Sequence, residues 1–413
     1  MSTSALTSHA LPASAPAAAR AVFRLMKSLR HGSLDVQLPD GSVMHFGEAS
    51  DGAPRAAMRL LNWNVCTATL RSGDIGFAEA FIAGDWTSPD PTALIKLMLA
   101  NGSEVESLVY GTWWGSLLYR VKHWLNRNSR SGSKKNIHAH YDLGNEFYRL
   151  WLDPTMNYSS AWFEGERSRP MADAQWAKVR RALVECEVKA GDRVLEIGCG
   201  WGALAECTAR EFGATVTGVT LSTEQLAWAR ERLTAAGLAG DLRLQDYRDL
   251  TVGPGEGPFD AIVSIEMFEA VGREYWPSFF QTLKTQLKPG GKACVQSIVI
   301  RDDMFERYVN STDFIQQYIF PGGCLPSPAV FRAQAKAAGL EVVDEFAFGP
   351  DYAHTLKLWR AAFLAQLSRV HQLGFDERFV RIWEFYLAYC EAAFAQANTD
   401  VVQYTLRKPL AAR

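Results

Sequence analysis

Residues 194–206 read VLEIGCGWGALAE. A short apolar run ends in three glycines within five positions, Gly198, Gly200 and Gly202, and a helical pattern of small and apolar residues follows. After a strand, such glycines let the backbone approach a ligand held at the strand's carboxyl end. The flanking segments alternate in the same way. RVLEI, TVTGVTL, DLRLQ, FDAIVSI and KPGGKACVQSIVI read as strands, while ALAECTAREF and STEQLAWARERLTAAG read as helices. Alternation at this spacing predicts an α/β fold with a mostly parallel, doubly wound sheet.

GCGWGA also satisfies the dinucleotide pattern G-x-G-x-x-G/A, so a nicotinamide enzyme has to be weighed. That fingerprint wants an acid about 20 positions on, at the end of the second strand, to hold a ribose hydroxyl. Here the second strand ends at Thr220, and the nearest acid, Glu224, already lies in the next helix pattern. The third strand runs into LQDYRDL, where Asp246 could accept an adenine amino proton. Glu196, two residues before Gly198, is the acid expected to orient the loop of an adenosylmethionine site.

A chain of 413 residues has room for two or three domains. Its formal net charge of −2 carries no general signal for a polyanion. Seven scattered cysteines with no C-x-x-C pair argue against a disulfide framework and a zinc site, and fit a reduced, cytoplasmic setting. Residues 1–20, rich in Ala, Ser, Pro and Thr, read as a disordered tail and not a signal peptide. No charge-free apolar run reaches the ~20 residues of a membrane span, so any membrane contact is expected to be peripheral.

Residues 21–130 read as a small accessory, lipid-associated α+β domain, with LDVQLPDGSVMHFG as a hairpin about Pro39-Asp40-Gly41 and PTALIKLMLANG as a helix ended by Gly102. Between Glu106 and Asp142 there is no acid, but Arg120, Lys122, Arg127, Arg130, Lys134 and Lys135 alternate with Trp113, Trp114, Tyr119 and Trp124. An aromatic, basic amphipathic helix of this kind suits an anionic membrane surface. The alternative is a helix packed on its neighbour by its tryptophans; nucleic acid is not expected as a partner. Residues 131–413 form the larger domain, in which the aromatic-rich segments from 305 to 395 read as a helical cap over the sheet.

HYDLGNEFYRLWLD, MNYSSAWF, VLEIGCGWGALA, GVTLSTEQ, LQDYRDL, SIEMFEAVG, QYIFPGGCLPS and DYAHTLKLW follow one another along the chain. In this order they resemble the cyclopropane-fatty-acid synthase family of S-adenosylmethionine-dependent methyltransferases. The resemblance implies a Rossmann-like class I methyltransferase sheet and methyl transfer to the double bond of an unsaturated acyl chain in a membrane phospholipid. It implies cofactor contacts at Tyr158, Ser159, Gly198, Gly200, Thr220, Gln225, Asp246, Tyr247 and Ile265, and no metal. His138, His140 and Asp142 fall in a segment the family uses to cover the cofactor. The expected protein is a cytoplasmic homo-oligomer, peripherally associated with the inner face of the membrane.

Methyl addition to an alkene leaves a carbocation, so the site must exclude water, stabilise positive charge and remove a proton. Phe268, Trp276, Tyr318 and Tyr352 are candidates for cation–π stabilisation, each equally readable as a core aromatic. An acyl chain of ~16–18 carbons costs about 13 kcal/mol to lift from a bilayer unless an apolar tunnel replaces the lipid, and the 305–395 segments are the expected tunnel.

Family synthases hold bicarbonate as proton acceptor in a shell of Cys, Glu, His and Tyr. The matching positions here are Ser160, Glu269, Gln296 and Tyr352, with Ala270 in place of a further histidine and Glu266 at a position that is often small. Ser160 and Gln296 still offer donors, so bicarbonate could remain. Alternatively Glu266 and Glu269, on one face if they open a helix, form a carboxylate pair that raises one pKa and handles the proton itself. A third reading places Glu266 behind the reacting groups, bonded to backbone or to an arginine. S-x-E-M-x-E-A-V-G with the later glutamine resembles the branch that makes methyl-branched, tuberculostearic-type acids, whose methylene product a separate reductase saturates. The alternatives are a non-catalytic lipid-binding member and a methyltransferase for another acceptor.

Overall fold

Strand pairing in the computed structural model, which describes residues 11–49, 52–102, 143–251 and 258–410, sorts the chain into two sheets. Contacts divide it into two units: 1–125 with 310–319 and 363–396, and 126–309 with 320–362 and 397–413. The basic aromatic stretch and His138, His140 and Asp142 lie outside the described residues.

In the first unit, β1 (Gly32–Gln37) and β2 (Val43–Glu48) form the hairpin expected about Pro39-Asp40-Gly41, closed by Leu38 N donating to Ser42 O at 2.7 Å. β3 (Arg55–Leu60) runs parallel to β1, and β4 (Trp86–Thr87) completes the order β2-β1-β3-β4. The stretch 1–20 is not all tail, since a helix spans Ala17–Met26. The helix Glu377–Ala395, expected over the large sheet, belongs here instead. Its Phe385 ring lies 5.7 Å from Phe81 and 6.2 Å from Phe77, and its buried Glu391 accepts a 3.0 Å bond from Thr92 Oγ1. An amphipathic pattern shows that a helix has an apolar face to bury, without naming what covers it.

The second unit holds a seven-stranded sheet in the order β10-β11-β9-β8-β5-β6-β7. β5 (Arg193–Ile197), β6 (Thr215–Thr220), β7 (Asp241–Leu244), β8 (Phe259–Ile265) and β9 (Leu287–Ile300) are parallel. β10 (Glu341–Ala347) and β11 (Thr399–Arg407) add an antiparallel edge. The mostly parallel, doubly wound sheet is therefore present. The order reverses between β5 and β8, and ligands of such sheets bind in the crevice at the carboxyl ends of the two strands on either side of that reversal. β5 runs into the glycine loop and β8 runs into Glu266.

One face of this sheet packs Leu195, Ile197 and Val295 against Phe268, Trp276, Phe279, Phe280 and Phe331. Phe268 and Trp276, stacked 5.6 Å apart and buried, are thus core aromatics. Gly202 (φ 83°) starts the helix Ala203–Phe212, and a Cβ there would lie 2.8 Å from the Ala229 Cβ and 3.1 Å from its Cα. Gly202→Ala should therefore cost about 1–3 kcal/mol in urea unfolding through combined backbone strain and overlap, whereas Gly237→Ala, with the same sign of φ but open space around it, should cost less.

Candidate active site

The crevice is a cleft of about 160 Å³. All nine residues expected to touch the cofactor line it: Tyr158, Ser159, Gly198, Gly200, Thr220, Gln225, Asp246, Tyr247 and Ile265. Gly198 (φ 87°) faces Met267, whose Cγ would be 2.9 Å from an added Cβ, while Gly200 (φ 48°) opens on free space. Thr220 Oγ1 donates to Gln225 Oε1 at 3.3 Å and accepts from Ser222 N at 3.2 Å. Asp246 does not stand free for an adenine amine: Arg248 holds its oxygens at 2.9 and 2.5 Å, and the Arg248 amide adds a 2.9 Å bond.

Glu196 is 5 % exposed and lines the cleft, and its Oε2 has no hydrogen-bond partner. Burial pushes its pKa well up, against the pull of Lys178, the Ala205 amide and Arg232. An orphaned acid oxygen at the head of a glycine loop fits the ammonium end of an amino-acid-bearing cofactor. The wall beyond it is aromatic, with Tyr158 5.4 Å from Tyr148 and 5.5 Å from both Trp151 and Trp359. Tyr352 lies 6.3 Å from Trp359. Tyr318 belongs to the first unit, where its hydroxyl donates to Glu79 at 2.6 Å.

Glu266 is not in a helix. It has φ 48°, a left-handed conformation that is uncommon outside glycine, one residue past β8 and ahead of the short turn Phe268–Ala270. Its amide donates to Gln296 O at 2.8 Å across the β8–β9 pairing. That turn brings the carboxylate under three donors. Ser160 N (2.9 Å) and Gln296 Nε2 (2.6 Å) reach Oε1, and the Tyr352 hydroxyl (2.6 Å) reaches Oε2. Of the reading that bonds Glu266 to backbone or an arginine, the backbone bond is present in Ser160 N, and two side chains, not an arginine, supply the rest. Ser160 contributes its amide, because its hydroxyl donates to Ala161 O at 3.0 Å. Glu269 lies behind, with Oε1 accepting from Ile298 N and Oε2 buried without a partner. Three of the residues expected to hold bicarbonate, Ser160, Gln296 and Tyr352, thus bond the Glu266 carboxylate instead.

Three further features were missed by sequence reasoning. Lys178 is fully buried and donates to Ser159 Oγ at 2.5 Å. Burial lowers it to about 8, against Glu266, Asp153 and Glu196, which favour its charge. Gln175, one turn earlier on the same helix, donates to Ser159 O at 2.9 Å. The stripe Ala174, Lys178, Ala182 at helical spacing was the available signal, since small residues on both sides of a lysine mark a buried face. Gln403 donates to Gln296 Oε1 (3.0 Å) and accepts from Arg181 (2.9 Å), which obliges the Gln296 amide to point its NH₂ at Glu266. Gln403 is opposite Gln296 in the β9–β11 register, a long-range pairing that no local pattern announces.

The family described as mycolic acid cyclopropane synthetase matches residues 128–404. Tuberculostearic acid methyltransferase of Mycobacterium tuberculosis is 36 % identical over 415 residues, covering 96 % of this chain and 92 % of that protein. The chain belongs to the cyclopropane synthetase family. Cyclopropane-fatty-acyl-phospholipid synthase of Escherichia coli is 34 % identical, with 86 % of this chain and 89 % of that one covered. A crystal structure of a mycolic acid cyclopropane synthase complexed with SAH and CTAB superposes with a TM-score of 0.62 at 32 % identity, covering 67 % of this chain and 98 % of that one. The second unit accordingly has the class I methyltransferase fold, with S-adenosylmethionine as cofactor.

Two expectations follow. Glu266→Gly removes the carboxylate, suits a left-handed backbone and leaves three donors empty; turnover should fall by about 10²–10⁴-fold and recover in part with added bicarbonate or formate, while the unsubstituted protein ignores both. Burial, then Glu266, pushes Glu269 up to about 8, from an ordinary glutamate value of 4.5. With the folded value raised, its stabilising contribution is complete below about 4.5 and is lost as pH rises through about 8. Urea midpoints of Glu269→Gln should therefore decline less between pH 5 and 9 than those of the parent protein.

Proposed function

We propose that this chain transfers a methyl group from S-adenosylmethionine to the double bond of an unsaturated acyl chain in a membrane phospholipid, with the Glu266 carboxylate as proton acceptor. The observation that carries this reading is the Glu266 carboxylate held by Ser160 N, Gln296 and Tyr352 where bicarbonate is expected. The cofactor supplies an electrophilic methyl sulfonium. The chain's own residues do the rest. Ser160, Gln296 and Tyr352 orient the carboxylate and leave Oε2 one free acceptor position for a proton of the delivered methyl group. Burial raises the Glu266 pKa above the usual carboxylate range, which suits a proton acceptor, and the buried Lys178 cation opposes that shift. Glu269, neutral near pH 7, adds no second negative charge to trap the cation. The aromatic wall around Tyr158 and Trp359 meets positive charge with ring faces.

Two products share this proton loss. If the C–H electron pair closes on the neighbouring cationic carbon, a cyclopropane forms; if a hydride first shifts to that carbon, the same pair makes a methylene branch. The 36 % identity to a tuberculostearic acid methyltransferase over nearly the whole chain supports the branched outcome, which a reductase would then saturate. The basic aromatic stretch within 110–136 supports peripheral contact with an anionic inner membrane face, and among the described residues no helix is long and apolar enough to cross a membrane.

The test is fatty-acid analysis by gas chromatography and mass spectrometry after expression in a host without its own synthase, fed methyl-deuterated methionine. A new acid one methylene heavier with two retained deuteriums is expected. Resistance to mild hydrogenation identifies a ring; reduction identifies a methylene branch. No new acid from a protein that still binds the cofactor overturns the proposal in favour of a non-catalytic lipid-binding role or another acceptor.

A further inference from the structure

The first unit contains a cavity of about 120 Å³ that shares no residue with the methyl-transfer cleft. Its walls are apolar and come from every layer of the unit, with Phe23, Leu34, Val36, Ile95 and Phe385 among them. In size it approaches the ~150 Å³ apolar cavities that take up a benzene-sized ligand.

Thr69 and Asp74 interrupt this lining, beside the Tyr389 hydroxyl and the Cys66 thiol. Thr69 is 8 % exposed, and its Oγ1 has no hydrogen-bond partner. A threonine inside a helix ordinarily satisfies its hydroxyl on the carbonyl one turn back, so an orphan here calls for a partner from the cavity. Asp74 follows the break that Gly73 (φ 61°, ψ −135°) makes in the helix Asn64–Ala83. Its carboxyl accepts from Ile75 N (2.9 Å), Tyr389 Oη (3.1 Å) and Phe314 N (3.3 Å). Burial and then Asp313 push it up to about 7. With two acids together, the cavity disfavours an anionic ligand.

We propose that this cavity is a second lipid site, which holds part of an aliphatic chain whose neutral hydroxyl bonds Thr69 Oγ1 and the Asp74 carboxyl. A fatty alcohol and a monoacylglycerol share that chemistry, while a fatty acid carries the wrong charge. The occupant is thus distinct from the unsaturated chain that the cleft would methylate.

Met26, Met58 and Met98 line the cavity, whereas Met156 and Met267 line the cofactor cleft. The full chain, labelled with [¹³C-methyl]methionine, is titrated at pH 7.5 with 1-octanol, octanoate and 1-monooctanoylglycerol. The expected result is that octanol shifts the Met26, Met58 and Met98 methyl signals and leaves Met156 and Met267 in place, while octanoate binds at least tenfold more weakly. Thr69→Val keeps the side-chain shape and should weaken octanol about fivefold, the worth of one neutral hydrogen bond, with S-adenosylhomocysteine affinity unchanged. Tighter binding of the glyceride than of octanol assigns a glycerolipid; the reverse assigns a free alcohol. Ile95→Trp should abolish the shifts by filling the space. Unmoved Met26, Met58 and Met98 signals in the parent protein, or equal octanol affinity in Thr69→Val, overturn the proposal.

Discussion

A carboxylate removed from water must be held by donors or give up its charge, and the methyl-transfer cleft is arranged around one such group. Glu266 is fed by an amide from the strap at Ser160, an amide group from β9 and a phenol from the helix Gly349–Ala365. Each donor arrives on a different element, so the carboxylate fixes their mutual positions as much as they fix it. Its left-handed backbone is tolerated because the amide is tied to Gln296 O while the carboxylate is tied to Gln296 Nε2. Both ends of one residue are thereby registered on its neighbour across the β8–β9 ladder.

Charge in this interior is kept close to balance by protonation as well as by pairing. Lys178 is a fully buried cation facing Glu266, Asp153 and Glu196. Three ionised carboxylates against one ammonium would be costly in a dry site. Burial therefore drives Glu196 well above the usual carboxylate range, and it pushes Glu269 up to about 8, so Glu269 remains a neutral acid at pH 7. Burial raises the Glu266 pKa above the usual carboxylate range as well, and there the lysine and three hydrogen bonds work against the shift.

The parallel sheet and the cofactor-lining residues were legible because both arise locally. Glycines follow a strand, and the lining residues sit at consecutive strand ends that the doubly wound order brings together. Other features depend on pairings between distant segments. Gln403 reaches Gln296 only through the antiparallel β11, and Lys178 looks like a surface lysine unless the alanines at 174 and 182 are weighed. Glu266 and Glu269 suggested a helical face at i, i+3, but β8 ends in a left-handed turn that no spacing rule predicts. The helix Glu377–Ala395 has an apolar face readable from sequence, yet its partners Phe77 and Phe81 lie some three hundred residues earlier.

With Glu266 as the proposed base, the proton acceptor is part of the chain, and that changes how a catalytic cycle must be completed. A dissolved ion can leave the protein carrying the proton it has accepted, and a fresh ion replaces it. The Glu266 carboxylate is covalently anchored, so its proton has to travel outward along a hydrogen-bonded route before the next substrate is deprotonated. Tyr352, hydroxylic and bonded to Oε2, is the neighbouring donor able both to release a proton and to receive one, whereas the Gln296 amide and the Ser160 backbone cannot exchange theirs readily. On that proposal, proton export through the Tyr352 phenol becomes a kinetic step of its own, separate from methyl transfer.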